Sequence, residues 1–122
     1  MAVIEVSGLR KSYGSIVAVD GMSFEVRAGE VYALLGHNGA GKSTTVEILE
    51  GHRDRTAGGV TVLGTDPQRG GRELRDRIGI VLQTSGLEHE LCVDEALELY
   101  SSCYRHRRPV AEVLELVGLA QQ

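Results

Sequence analysis

A glycine-rich segment in the first half of the chain carries the clearest chemistry. Residues 36–43 match the template G-x-x-x-x-G-K-[ST] at every fixed position. Because glycines lack side chains, the backbone can curl around a phosphate and turn its N–H groups inward. The lysine supplies a full positive charge for the outer phosphates, and the hydroxyl of the next residue is placed to ligate Mg²⁺. The segment predicts a binding site for the triphosphate of ATP or a close relative. The predicted phosphate-binding residues are Gly36, His37, Asn38, Gly39, Ala40, Gly41, Lys42, Ser43 and Thr44.

Two other interpretations of this loop fit the residues less well. A glycine-rich turn that precedes a helix by chance would not account for the lysine, the serine and the flanking elements together. The dinucleotide-binding template G-x-G-x-x-G does not fit either, because the three glycines here are spaced G-x-x-G-x-G. Lys42 would also have no role in a dinucleotide site.

Apolar runs on both sides of the loop predict the elements that position it. Residues 31–35 form a continuous apolar run, which favours a strand buried on both faces of a parallel sheet. Residues 42–50 predict a helix that ends at Gly51, with Val46 and Leu49 on one face. This helix would direct the positive end of its dipole at the phosphates. Residues 78–82 predict a second buried strand.

The rest of the chain predicts short strands first and helices later. The sequence favours strands over residues 2–6, 16–19, 22–26 and 59–63, with a hairpin turn at Asp20–Gly21 and a short polar helix or turn over residues 72–77. In the last third, apolar residues recur at helical spacing from Val93 to Tyr104. Pro109 and Gly118 suit the start and the end of a further helix.

Composition and charge narrow the classes of partner and compartment. The 122 residues are 42% hydrophobic and 25% charged, and the formal net charge of -4 gives no electrostatic footprint for nucleic acid. Two cysteines make no disulfide framework, and the four scattered histidines form no ligand cluster. No apolar run approaches the ~20 residues that span a bilayer, and the N-terminus lacks the features of a signal peptide. A cytoplasmic protein is expected.

The residues around the loop resemble the ATP-binding subunit of ATP-binding cassette (ABC) transporters. Tyr13 lies upstream of residues 17–24, in the arrangement of the family's adenine-stacking aromatic and antiparallel strands. Residues 29–35 lead straight into the loop, and residues 78–83 are similar to the strand that ends in the family's Q-loop glutamine. The resemblance covers nearly the whole chain and is most like the bacterial drug-exporter branch.

This resemblance implies a fold and a set of roles. The expected fold class is α/β: a P-loop NTPase core with an antiparallel β subdomain over residues 1–90, and the start of a helical subdomain over residues 91–122. Tyr13 would stack on adenine, and Ala18 would lie near the ribose. Ser43 and Gln83 would meet Mg²⁺ and the attacking water, so Lys42 and Gln83 are the expected catalytic residues.

The resemblance also implies partners and a limit on activity. The expected partners are a transmembrane permease subunit, contacted near residues 84–97, and a second ATP-binding subunit that completes a dimer at the inner face of the cell membrane. The family's L-S-G-G-Q signature, its acidic strand ending in Asp-Glu and its switch histidine do not occur in the sequence. The chain is therefore expected to be the N-terminal portion of an exporter ATPase subunit that binds Mg-ATP and does not hydrolyse it alone.

Three alternatives stay open on the residues. The chain could be a non-catalytic nucleotide-binding fragment of a disrupted ABC ATPase gene, which a turnover assay would separate from the first hypothesis. An ABC-type ATPase of DNA repair would show a DNA-dependent rate, although no basic patch supports it. A kinase or GTPase with a phosphate loop would differ in nucleotide preference, and the guanine-binding N-K-x-D motif does not occur.

Overall fold

The computed structural model describes residues 1–37, 41–82, 86 and 89–122. These residues form two compact units, Met1–Ile78 and Gly79–Gln122. In chain order the elements are β1 (Ala2–Tyr13), β2 (Ile16–Arg27), α1 (Lys42–Leu49), β3 (Ala57–Val62), α2 (Gly71–Arg75), α3 (Val93–Ser101) and α4 (Val110–Leu116).

An antiparallel sheet in the order β2–β1–β3 forms the body of the first unit. The central strand β1 is twelve residues long, so the predicted strand over residues 2–6 was only its first part. It pairs with β2 over its whole length and with β3 from Ile4 to Arg10. Apolar side chains on one face of this sheet meet α1 and α2. The shared core consists of Val6, Leu9, Val19, Ile48, Val60, Val62 and Leu74.

A bulge in β1 decides which of its side chains face this core. Val6 pairs with Phe24 and Leu9 with Met22, so β1 has one residue more than β2 over this stretch. Gly8 lies in the bulge with a φ of 58°, a left-handed conformation that glycine adopts readily. Because side chains alternate along a strand, Val6 and Leu9 share a face only through this extra residue. Both are buried.

The predicted hairpin turn at Asp20–Gly21 is wrong, since both residues lie inside β2. Leu9 pairs with Met22 and the next residue, Arg10, pairs with Asp20, which leaves Gly21 as an extra residue with a φ of 75°. A left-handed glycine after aspartate suits a bulge as well as a hairpin turn. Local sequence therefore could not separate the two, and the chain reverses instead directly after β1.

Helix α1 packs on the sheet through a different face from the one predicted. Thr45 and Ile48 are buried, whereas Val46 is 42% exposed and Leu49 is only partly buried. The rotation of a helix on a sheet is set by which side chains fit the strands beneath it, and α1 contacts β2 and β3. The end of the helix is as predicted, because Gly51 follows it with a φ of 79°.

The two predicted parallel strands are not formed. Residues 31–35 and 78–82 lie outside the strands, and Val31 and Val81 are 97% and 99% exposed. A parallel strand is stabilised by hydrogen bonds to a neighbour on each side. Among the described residues the only sheet is the antiparallel one of β1, β2 and β3, so these apolar runs have no such neighbour there.

The second unit contains the two predicted helices. α3 and α4 contact each other, and neither contains a fully buried residue. Gly118 follows α4 with a φ of 75°, as its predicted role at the helix end requires. In the described part of the chain, every helix is too short or too polar to cross a bilayer. The half-buried apolar residues of this pair are Ala96, Leu97, Val110, Val113 and Leu114.

Candidate nucleotide-binding site

The two ends of the glycine-rich loop lie together at the start of α1. Gly36 and His37 open the loop, and Lys42, near its other end, begins the helix. The ammonium group of Lys42 donates a hydrogen bond to the carbonyl oxygen of Gly36, so the first and seventh positions of the template meet. Asn38, Gly39 and Ala40 lie outside the described residues. The lysine ammonium therefore lies at the mouth of the loop, beside its first residue.

Gly41 is required by both conformation and space. Its φ of 87° is left-handed, and a Cβ built on it would lie 2.3 Å from the carbonyl oxygen of Ala18. Ala18 is an extra residue in β2, because Lys11 pairs with Val19 while the next residue, Ser12, pairs with position 17. The bulge thus turns the backbone of Ala18 against the loop. The structure brings Ala18 to the site through its main chain, and its predicted contact with a ribose is untested.

Thr45 is a site residue that sequence reasoning missed. Its hydroxyl donates to the carbonyl oxygen of Gly41 at 2.8 Å, and the residue is 0% exposed. The same carbonyl accepts the first backbone bond of α1, from the N–H of Thr45 at 2.9 Å. The hydroxyl and the backbone N–H of Thr45 therefore both donate to the carbonyl oxygen of the loop's last glycine. The sequence did contain a signal for this role: Thr45 is the second threonine after Lys42, and the hydroxyl of a threonine in a helix often donates to the carbonyl four residues back.

The first turn of α1 fits an anion. The N–H groups of Lys42, Ser43 and Thr44 precede the first intrahelical bond, so no carbonyl of the helix accepts from them. The helix N-cap, Gly41, has no side chain that could cap these N–H groups, and the first turn contains no acidic residue. Three N–H groups outside the intrahelical ladder, the helix dipole and one lysine side chain therefore lie together at a first turn that contains no carboxylate.

Of the two predicted magnesium ligands, Ser43 and Gln83, the structure describes only Ser43. Ser43 is exposed at the first turn of α1, while Thr44 beside it is half-buried. Gln83 lies outside the described residues. Among the residues with described positions, no group of three or more His, Cys, Asp or Glu side chains could hold a metal.

Tyr13 is the last residue of β1, and its ring is in contact with two cations. The Lys11 ammonium lies 5.0 Å from the ring centroid, and the Arg53 guanidinium carbon lies 5.5 Å from it. Both distances are in the range of cation–π interactions. Tyr13 is still 41% exposed, so part of its surface is open to a ligand.

Comparison with known proteins identifies the family. Residues 19–122 match the family model described as ABC transporter. The chain belongs to the ABC transporter family. The family model matches the whole glycine-rich loop of this ABC family member and both helices of its second unit.

Bacterial export proteins are among the relatives. Nod factor export ATP-binding protein I of Rhizobium leguminosarum bv. viciae is 41% identical over 102 residues, which are 84% of this chain and 33% of the relative. Linearmycin resistance ATP-binding protein LnrL of Bacillus subtilis (strain 168) is 34% identical over 98% of this chain and 40% of its own length. The predicted resemblance to bacterial exporter ATP-binding proteins is confirmed. The chain spans about a third to two fifths of these relatives.

Solved structures agree on the fold. An ATP-binding subunit of an ABC transporter superposes with a TM-score of 0.84 at 28% identity, over 98% of this chain and 52% of that one. The ADP conformation of an ATP-binding cassette of an ABC transporter superposes with a TM-score of 0.79 at 26% identity, over 98% and 55%. The predicted fold class is thereby confirmed: part of a P-loop NTPase core with an antiparallel β sheet and the start of a helical region.

Proposed function

We propose that this chain binds Mg-ATP through residues 36–44, as the N-terminal part of the ATP-binding subunit of an exporter. The observation that carries the proposal is the start of α1, where Gly41, Lys42 and the N–H groups of the first turn, which no carbonyl of the helix accepts, lie beside Gly36. Family membership and the names of the relatives support ATP over other phosphates.

Each residue has a stated task in this proposal. Lys42 neutralises the outer phosphates, and the N–H groups of the loop and first turn donate hydrogen bonds to the remaining phosphate oxygens. Tyr13 supplies a ring for the adenine, and the Ala18 backbone borders the ribose. Ser43 and Gln83 would hold Mg²⁺, and the ion would neutralise charge on the phosphates.

The proposal assigns nucleotide binding to these 122 residues and leaves the activation of water to residues outside them. Neither L-S-G-G-Q nor an apolar run ending in Asp-Glu occurs in the sequence. Water must be oriented by a positioned side chain before it attacks a phosphate. The rival hypothesis is a nucleotide-binding protein without turnover in any context. Restoration of hydrolysis by a second, complete ATP-binding subunit would separate the two.

The proposed setting follows the relatives. The names of two relatives refer to export of Nod factor and to resistance to linearmycin. We propose that the complete subunit pairs with a second ATP-binding subunit and with a membrane permease at the cytoplasmic face, and that it powers export. Residues 84–97, which include the start of α3, are the proposed permease contact. The proposed helical domain comprises residues 91–122, after a nucleotide-binding domain over residues 1–90.

Isothermal titration of Mg-ATP into the chain and its Lys42→Ala variant tests the proposal. We expect the variant to lose measurable binding, because Lys42 supplies the cation at the loop mouth, while its melting temperature stays unchanged. Arg27→Ala is the matched control, since Arg27 is an exposed cation of β2 that pairs with Glu25 at 3.2 Å. Equal affinities of the parent chain and Lys42→Ala would reject the assignment.

A further inference from the structure

Arg53 connects the ring of Tyr13 to the helix that carries the phosphate site. Its guanidinium lies over the ring of Tyr13 at the end of β1. Its Nε also donates to Glu47 of α1 at 2.5 Å. One side chain therefore contacts an aromatic on the sheet and a carboxylate on the helix.

The exit from α1 holds Arg53 in place. The N–H of Gly51 donates to the carbonyl of Ile48 at 3.1 Å, and the N–H of His52 donates to the carbonyl of Glu47 at 2.9 Å. These two bonds around a left-handed glycine form a Schellman motif. A Cβ at Gly51 would also lie 2.8 Å from the carbonyl oxygen of Pro67, so the turn has little room to move. Arg53 therefore leaves the helix in a defined direction.

The carboxylate of Glu47 stabilises the positive charge of Arg53. The hydrogen bond from Arg53 to Glu47 raises the pKa of the guanidinium above its already high ordinary value. Both side chains are 39% exposed, so the contact lies at the rim of the unit and within reach of a ligand. A half-exposed ion pair of this kind contributes little to the stability of the fold. Its fixed position between the Tyr13 ring and α1 is therefore the feature that calls for a functional explanation.

We propose that Arg53, held by Glu47, is a positioning residue for the nucleotide base: it fixes the Tyr13 ring relative to the phosphate-binding start of α1. A nucleotide has a set distance between its base and its phosphates, so a base platform helps only if it is held at the matching distance from the phosphate site. The pre-organised ring loses less freedom when the base stacks on it. This inference rests on the proposed function, and it adds the residue that sets the geometry of the base.

Titration of ATP and of inorganic tripolyphosphate into Arg53→Ala tests the inference, because tripolyphosphate has no base. We expect ATP affinity to fall about two- to fivefold, as the loss of an exposed cation–π contact predicts, while tripolyphosphate affinity stays the same. Arg53→Lys should recover part of the loss, since a cation over the ring remains. Arg27→Ala controls for the general loss of a positive charge.

A double-mutant experiment tests whether the effect of Arg53 on ATP affinity depends on Tyr13. In a Tyr13→Ala background, Arg53→Ala should cause no further loss of ATP affinity, because residues that act as a unit are not additive. NMR gives a readout independent of binding: the δ-protons of Arg53 should shift upfield over the ring and lose that shift in Tyr13→Leu.

Three results would overturn the inference. Equal losses for ATP and tripolyphosphate would make Arg53 a general electrostatic contributor. Unchanged ATP affinity would remove its positioning role, and increased affinity would mean that Arg53 covers the surface which the base needs. Each is distinct from failure of the proposed function, in which Lys42→Ala leaves ATP affinity unchanged.

Discussion

Leu9 in β1 and Leu35 before the glycine-rich loop are the same residue type in two apolar stretches of one unit, and their environments are opposite. Leu9 is 0% exposed between β2, β3 and α1, while Leu35 is 88% exposed. The stretch around Leu35 is the more continuously apolar of the two. β1 has a strand on each side and a helix above one face, whereas residues 31–35 have no strand partner in the described part of the chain. Burial is therefore decided by the available neighbours as much as by hydrophobicity.

The largest expected effect comes from making one substitution in both stretches. Leu9→Ala should lower the free energy of unfolding by about 2–5 kcal/mol, because it leaves a cavity among packed side chains. Leu35→Ala should change it by no more than about 0.5 kcal/mol, as exposed substitutions usually do. Urea denaturation followed by circular dichroism measures both. A loss at Leu35 as large as that at Leu9 would show that residues 31–35 are buried in solution.

A smaller effect is expected from a pair of glycines that differ in their surroundings. Gly41 and Gly29 both have left-handed φ angles, 87° and 78°, but only Gly41 has backbone within 4 Å of an added Cβ. Alanine at Gly29 should cost about 1–2 kcal/mol from conformation alone. Gly41→Ala should cost about 1–3 kcal/mol more, because the methyl group overlaps the Ala18 carbonyl. Thermal melts of the two variants give the difference, and equal losses would show that the loop relaxes freely.

The smallest expected effect is a pH dependence in the sheet unit. Arg55 donates to both carboxylate oxygens of Asp66, at 2.8 and 2.6 Å, and these hydrogen bonds lower the pKa of Asp66 below its ordinary value. A lowered folded-state pKa stabilises the fold above the unfolded pKa of about 3.9, and this contribution is lost as the pH falls through the folded pKa. The stability difference between the parent chain and Asp66→Asn should be constant near neutral pH and shrink below about pH 4.

Melts of both proteins between pH 3 and 7 test this prediction. Asp20→Asn is the matched control, because its pair with Arg10 is 3.5 Å long and its side chains are 70% and 62% exposed. A difference between the parent and Asp66→Asn that stays constant down to pH 3 would contradict the proposed role of the Arg55 pair.

Much of the candidate site was predictable because it depends on local chemistry. Lys42, Ser43 and the glycines follow from spacing that phosphate binding needs, and a helix begins at Lys42 as expected. Thr45 was missed because its role depends on being buried beneath the loop. The Tyr13–Arg53 contact was missed for a related reason: the two residues are forty positions apart and meet only through folding.

The sequence by itself determined the phosphate-binding chemistry, the end of α1 at Gly51 and the resemblance to ABC ATP-binding subunits. These depend on residue types within a few positions of one another, and short-range backbone preferences enforce them. Only the tertiary structure decided which side of β1 faces the core, because the bulge at Gly8 reverses the alternation that residues 2–6 begin. Through that reversal Leu9 is buried and Tyr13 reaches Arg53, since a one-residue change in register moves every following side chain to the other face of a strand.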